Sequence, residues 1–184
     1  MSQRVIVWSI ILLLLTGCSL FSVTSQPAKQ LLLLSPKEGP SAVLLKQKVT
    51  MEARGEQHQF LVVIRIEHDQ LKLRALLPTG QPLLSLDYDG YSLQQSNTSS
   101  LVLPSEEILA MMQFALWPEK AIEKAYRMEN GWQLELSSEQ RLLFMSMATE
   151  KVVSVNYLSN DEMIIENYDH QYRVIIKTLG TMEL

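Results

Sequence analysis

Apolar and polar residues alternate with a period of two over most of the chain beyond residue 40. Phe60, Val62, Ile64 and Ile66 share one face of a run ending at Glu67. Leu71, Leu73, Ala75 and Leu77 alternate with Lys72, Arg74 and Leu76. The same pattern recurs at Trp132, Leu134 and Leu136, at Val153, Val155 and Tyr157, and at Tyr172, Val174 and Ile176. One apolar face at period two is the signature of antiparallel strands. Short polar clusters separate the runs: Arg54-Gly55-Glu56, Asp89-Gly90, Asn130-Gly131, Asn160-Asp161 and Asp169-His170. Asp-Gly and Asn-Gly are strong hairpin signals because type I′ turns need positive φ at both central residues. The pattern predicts about five strands between Ser41 and Ser96 and about five or six between Lys124 and Thr178.

One segment breaks the alternation. Pro104 is preorganised for a first helical turn, and Glu106 and Glu107 complement the helix dipole there. Ile108, Leu109, Met111, Met112, Phe114, Ala115 and Leu116 follow, and Pro118 stops the helix after Trp117. A second short helix is expected over Glu119–Ala125. The first is apolar on more than one face, so it is expected either to be buried on both sides or to cover a cavity. The pattern as a whole predicts a mainly β fold, a curved antiparallel sheet with a helical lid.

The N-terminus carries different information. Arg4 precedes an apolar run from Val5 to Leu15, and Leu15-Thr16-Gly17-Cys18 ends it at the chain's single cysteine. This resembles a lipoprotein signal, in which the cysteine sulfur is diacylated and becomes the mature N-terminus. A spanning helix would need about 20 apolar residues, roughly twice this run. A plain secretory signal would need no cysteine at the cleavage point. The expected organisation is a signal peptide over 1–17, a lipidated N-terminus and tether over 18–30, and one domain over 31–184 with its helical insert at 104–125. Covalent diacylglycerol and an N-acyl chain on Cys18 leave no thiol for disulfide, metal or catalysis; no other cofactor is expected. Ser19 is not aspartate, the residue that signals inner-membrane retention in the better-known sorting rule. The expected location is therefore the periplasmic face of the outer membrane. Leu31-Leu32-Leu33-Leu34 follows the tether and reads either as a short first strand or plug, or as an apolar lip touching membrane or ligand.

Sixteen Lys and Arg against twenty Asp and Glu leave a net charge of −4. The cations are scattered along the sequence, which argues against nucleic acid as a partner. His58, His68 and His170 lack neighbours at metal-ligand spacing and read as surface residues. Asp87 with Asp89 and Asp161 with Glu162 read as turn formers rather than catalytic pairs. No serine sits in a Gly-x-Ser-x-Gly elbow and no phosphate loop is present. An enzyme is not expected. Met111, Met112, Met145, Met147 and Met163 are compatible with ordinary core filling and with a pocket for varied apolar ligands.

Leu77-Pro78-Thr79-Gly80-Gln81-Pro82-Leu83-Leu84-Ser85-Leu86 followed by Asp89-Gly90 resembles the middle of the LolB family, outer-membrane acceptors of lipoproteins. The segment from Leu103 to Pro118 resembles that family's following helix, and the Gly131-Trp132 strand fits as well. The match is strongest over 44–132. The chain as a whole resembles a family of uncharacterised lipoproteins encoded beside aryl polyene biosynthesis genes, itself similar to the LolA/LolB fold. The resemblance implies an antiparallel half-barrel of about eleven strands over an apolar cavity, covered by helices. It also implies a lipid or acyl-chain ligand and a periplasmic LolA-like carrier as a candidate partner. LolB has a helix before its first strand; here 30–40 is too short and proline-broken to supply one.

These readings place Met111, Met112, Phe114 and Trp117 on the lid and Val62, Ile64, Leu73, Trp132, Leu134 and Phe144 on the floor of a cavity. An apolar concave lining is sufficient chemistry to hold a lipid, lipoprotein acyl or aryl polyene chain. The alternative is a structural or scaffolding lipoprotein of the same fold whose interior is filled by its own side chains.

Overall fold

The longest hairpin shows how local sequence sets the sheet. In the computed structural model, β1 (Val43–Ala53) and β2 (Glu56–Ile66) pair in register from Val43 opposite Ile66 to Ala53 opposite Glu56. Arg54 and Gly55 turn the chain with φ of 52° and 80°, the positive pair that a type I′ turn requires. The structure describes residues 30–98, 104–146 and 150–184. The signal peptide, Cys18, most of the tether and Met147 lie outside the described residues.

The chain continues as a meander through β3 (Leu71–Leu76), β4 (Pro82–Tyr88) and β5 (Leu93–Asn97). Two helices, α1 (Ser105–Leu116) and α2 (Glu119–Ala125), then carry it across. A second meander runs through β6 (Trp132–Leu136), β7 (Gln140–Met145), β8 (Glu150–Tyr157), β9 (Glu162–Asn167) and β10 (Tyr172–Glu183). β10 pairs antiparallel with β1, so both meanders form one open sheet in the order β5-β4-β3-β2-β1-β10-β9-β8-β7-β6. The fold is mainly β, as expected, with ten strands among the described residues where about eleven were expected.

The differences from the sequence reading are local. Asn130-Gly131 is no hairpin; it ends a 3-10 turn (Met128–Asn130), and Gly131, at φ 75°, feeds the chain into β6. At Asp89-Gly90 the Asp89 carboxylate accepts from the backbone N–H of Tyr91 and Ser92 at 2.8 and 2.7 Å. Those two donors hold its pKa below the usual aspartate value. Residues 31–34 form no strand.

Ile64, Ile66, Leu71, Leu73 and Leu86 from one meander share a core with Trp132, Leu143, Val153, Val155 and Ile165 from the other, and with Leu109, Phe114 and Trp117 of the helical insert. A flat sheet of this many strands at about 4.8 Å spacing would be roughly 43 Å wide, against about 10 Å for a helix. One core can hold both halves only if the sheet curls around the insert.

Candidate functional site

The structure packs most of the residues expected to line a cavity against one another as core, and none of the ten lines the cavity at the strap described below. Val62, Ile64, Leu73, Met111, Met112, Phe114, Trp117 and Trp132 are buried in the common core, and Leu134 packs against it half-buried. Phe144 differs. Its neighbours Leu143 and Met145 join the core while Phe144, opposite Gln133 and Lys151, faces the other side of the sheet. The pairing slips between Leu143 and Phe144. The extra residue there is Val152 on β8, while β7 alternates regularly, so the sequence reading puts Phe144 on the wrong phase of its own strand.

α1 is buried on nearly every side from Leu109 to Ala115. The sheet secures its C-terminal end. Arg141 Nη1 donates to the carbonyls of Phe114 and Trp117 at 2.7 and 2.8 Å, and the Tyr157 hydroxyl donates to Ala115 O at 2.7 Å. A cation there complements the helix dipole while satisfying carbonyls the helix leaves open. Arg141 stacks over the Tyr157 ring at 5.5 Å, and burial raises the Tyr157 pKa.

Residues 31–35 run as an extended strap over the other side of α1. Gln113, fully buried, binds both polar groups of Leu34: Oε1 accepts from its N–H at 2.8 Å and Nε2 donates to its carbonyl at 2.7 Å. The Tyr126 hydroxyl accepts from Leu32 N–H at 3.1 Å, and Trp117 Nε1 donates to Ser35 O at 3.2 Å. Burial pushes the Tyr126 pKa up to about 12. The four-leucine block is thus not a strand: its backbone is held by side chains from the insert, Leu34 is the buried plug, and Leu31 borders the cavity described below. Lys124 Nζ reaches Glu38 Oε1 at 2.5 Å where the strap ends.

A cavity of about 500 Å³ opens where the strap meets the first turn of α1. Its apolar wall is Leu31, Leu93 and Val152, each also part of the core or packed on it. Its polar wall is Glu107, Asn167, Asp169 and His170, with Glu106, Gln30 and Gln95 at the rim. Glu107 organises that wall. Its Oε1 accepts from the Tyr172 hydroxyl at 2.6 Å and from Asn167 Nδ2 at 2.7 Å, and its Oε2 lies 2.9 Å from His170 Nδ1. Burial, then the bond to Glu107, drives the Tyr172 pKa well up, so this phenol stays protonated. Burial, then Glu150, raises the Asp169 pKa. Among the described residues no three His, Cys, Asp or Glu are placed to hold a metal.

Sequence reasoning missed Gln113, Arg141 and the Glu107 cluster. Gln113 had a signal, the single polar residue among seven consecutive buried helical positions. Arg141 had a weaker one, occupying the inward phase of β7 with Leu143 and Met145. Glu107 and His170 are 63 residues apart, so no local pattern joins them.

A family model described as "protein of unknown function (DUF3261)" matches residues 44–180. No curated protein matches the chain. Two solved structures show a distant likeness. A domain from Vibrio parahaemolyticus, described as an outer membrane lipoprotein-sorting protein, is 10% identical with a TM-score of 0.38, covering 80% of this chain and 87% of its own. A DUF1329 family protein from Desulfovibrio piger is 6% identical with a TM-score of 0.33, again covering 80% of this chain and 87% of its own. Likeness at this level decides nothing about function.

Proposed function

This chain belongs to DUF3261, a family of proteins of unknown function, and we propose that it is a lipoprotein of the periplasmic face of the outer membrane that binds an apolar chain. The observation that carries the reading is the cavity at the strap. Its apolar wall is the outer skin of the core, and its polar wall can receive a headgroup. Its volume is within the range of about 300–1,000 Å³ usual for small-molecule sites. The strap is the movable part, because α1 is tied at its first turn through Glu107 and at its last through Arg141 and Tyr157. Gln113, Tyr126 and Trp117 line the strap's bed with polar groups that need partners. A ligand entering that bed therefore needs an ester or amide beside its hydrocarbon. The ligand classes that meet this are a lipid, a lipoprotein acyl chain or an aryl polyene lipid, delivered by a LolA-like periplasmic carrier. Cys18 is the proposed site of lipidation.

Native mass spectrometry and lipid extraction of the domain purified without Cys18 test the reading. The parent protein should carry lipid. Leu93→Glu places a charge on the apolar wall at a half-buried edge-strand position. It should lose that lipid while melting as the parent does. Met112 is buried in the core and does not line the cavity, so Met112→Gln probes the interior beneath α1 rather than the ligand site. A parent that yields no lipid under any extraction refutes the reading. The second reading, a scaffold filled by its own side chains, is favoured by the burial of α1 on both sides. It predicts loss of stability in Met112→Gln with no ligand to lose.

A further inference from the structure

The cations that look scattered in sequence are gathered by the sheet. Lys46 and Lys48 on β1, Arg65 on β2, Lys72 and Arg74 on β3 and Lys177 on β10 all lie on the face turned away from the core. The register sets Lys48 directly opposite Lys177 and Arg65 directly opposite Lys72. Like charges in directly opposed positions destabilise a sheet, and a chain with net charge −4 has no general need of them. Five carboxylates share the area. Glu52 on β1 and Glu166 on β9 both stand opposite a further cation of this face, Arg173 on β10. Glu67 holds Arg65 at 2.7 Å, Asp87 holds Arg74 at 2.8 Å, and Glu162 stands opposite Lys177. Among the described residues, Lys46, Lys48, Lys72 and Lys177 have no carboxylate within ion-pair distance. Leu44, Leu61, Val63 and Met182 lie between the cations on this face, with Leu61 37% and Met182 55% exposed.

We propose that this outward face of β1, β2, β3 and β10 docks on an anionic lipid surface. Lysine stems span apolar surface and place their ammonium groups among acidic headgroups, while interleaved aliphatic side chains enter the interface. The like-charge pairs that cost stability in water become favourable beside a sheet of negative charge. The helices and the cavity mouth lie on the opposite side of the sheet, so a domain docked this way keeps them free.

Vesicle co-sedimentation of the chain from residue 18 onward carrying Cys18→Ser, so that neither an acyl anchor nor the apolar signal segment contributes, tests the proposal. The vesicles are phosphatidylethanolamine with phosphatidylglycerol, or phosphatidylcholine alone. The comparison protein carries Lys46→Gln, Lys48→Gln and Lys177→Gln as well. All three lysines are exposed, so its melting temperature should match the parent's. Each lysine near an anionic surface contributes about a fivefold affinity gain, so the triple variant should bind phosphatidylglycerol vesicles about a hundredfold more weakly. Binding of the parent should fall steeply as salt is raised. Equal binding to both vesicle types, or equal binding by parent and triple variant, overturns the proposal. So does binding to a DNA duplex as tight as binding to phosphatidylglycerol, which would mark a general polyanion site.

Discussion

Gln113→Leu isolates what holds the strap. The wild-type carboxamide is fully buried and satisfies both polar groups of Leu34, at 2.8 and 2.7 Å. Leucine keeps helix propensity and approximate volume but leaves the Leu34 N–H and carbonyl without partners. Each buried orphan costs about 1–3 kcal/mol, and the added apolar burial returns about 1–2 kcal/mol. The net loss should be about 3 kcal/mol, lowering the melting temperature by about 6–12 °C for a domain of this size. The strap can escape part of this cost by lifting off α1, so the loss should be local as well as global. Amide exchange at Leu32 and Leu34 should accelerate about a hundredfold more than exchange in β1 and β10. Trp117 fluorescence should shift to the red as its indole loses Ser35. Met112→Leu, one residue away and apolar in both forms, is the control and should cost under about 1.5 kcal/mol with no effect on the strap amides. If Gln113→Leu melts within about a degree of the parent and Leu34 stays equally protected, the carboxamide does not hold the strap.

Three further outcomes are expected. Arg141→Met should cost about 2–4 kcal/mol in denaturant titrations, because the carbonyls of Phe114 and Trp117 lose a charged donor; an unchanged midpoint would show that those carbonyls find another partner. Asp169 has its pKa raised in the fold, so the folded state holds its proton more tightly than the unfolded chain. Its ionisation therefore removes stability as pH rises from its ordinary value of 3.8 through the higher folded value. Asp169→Asn should be more stable than the parent above that window and equal to it below; a parallel pH profile for the two proteins would contradict the assignment. Cys18→Ala should abolish acylation and release the protein from membranes in fractionation, and a variant that still sediments with outer membrane after a salt wash would refute the lipidation site.

The sequence alone determined the elements. Period-two alternation located β2, β3, β6, β8 and β10 and gave about five strands to each meander, because a residue on a half-buried strand must be apolar on one face whatever its neighbours are. Proline at both ends bounded α1, and Pro118 with Ala125 framed α2. The apolar interior was legible for the same reason, since Val62, Ile64, Leu73 and Trp132 declare their inward phase locally. Phe144 failed because two adjacent apolar residues, Leu143 and Phe144, leave the phase of β7 ambiguous in sequence, and the pairing of Leu134 with Leu143 settles it. Tertiary structure decided the rest. The strap's bed needs Gln113, Trp117 and Tyr126 to meet residues about eighty to ninety positions earlier. The polar wall needs the first turn of α1 to meet the β9–β10 turn. The cationic face exists only because β10 returns to pair with β1, setting Lys177 beside Lys48. Long-range contacts of this kind leave no periodic trace in a sequence, because each residue involved satisfies its local element equally well in many other arrangements.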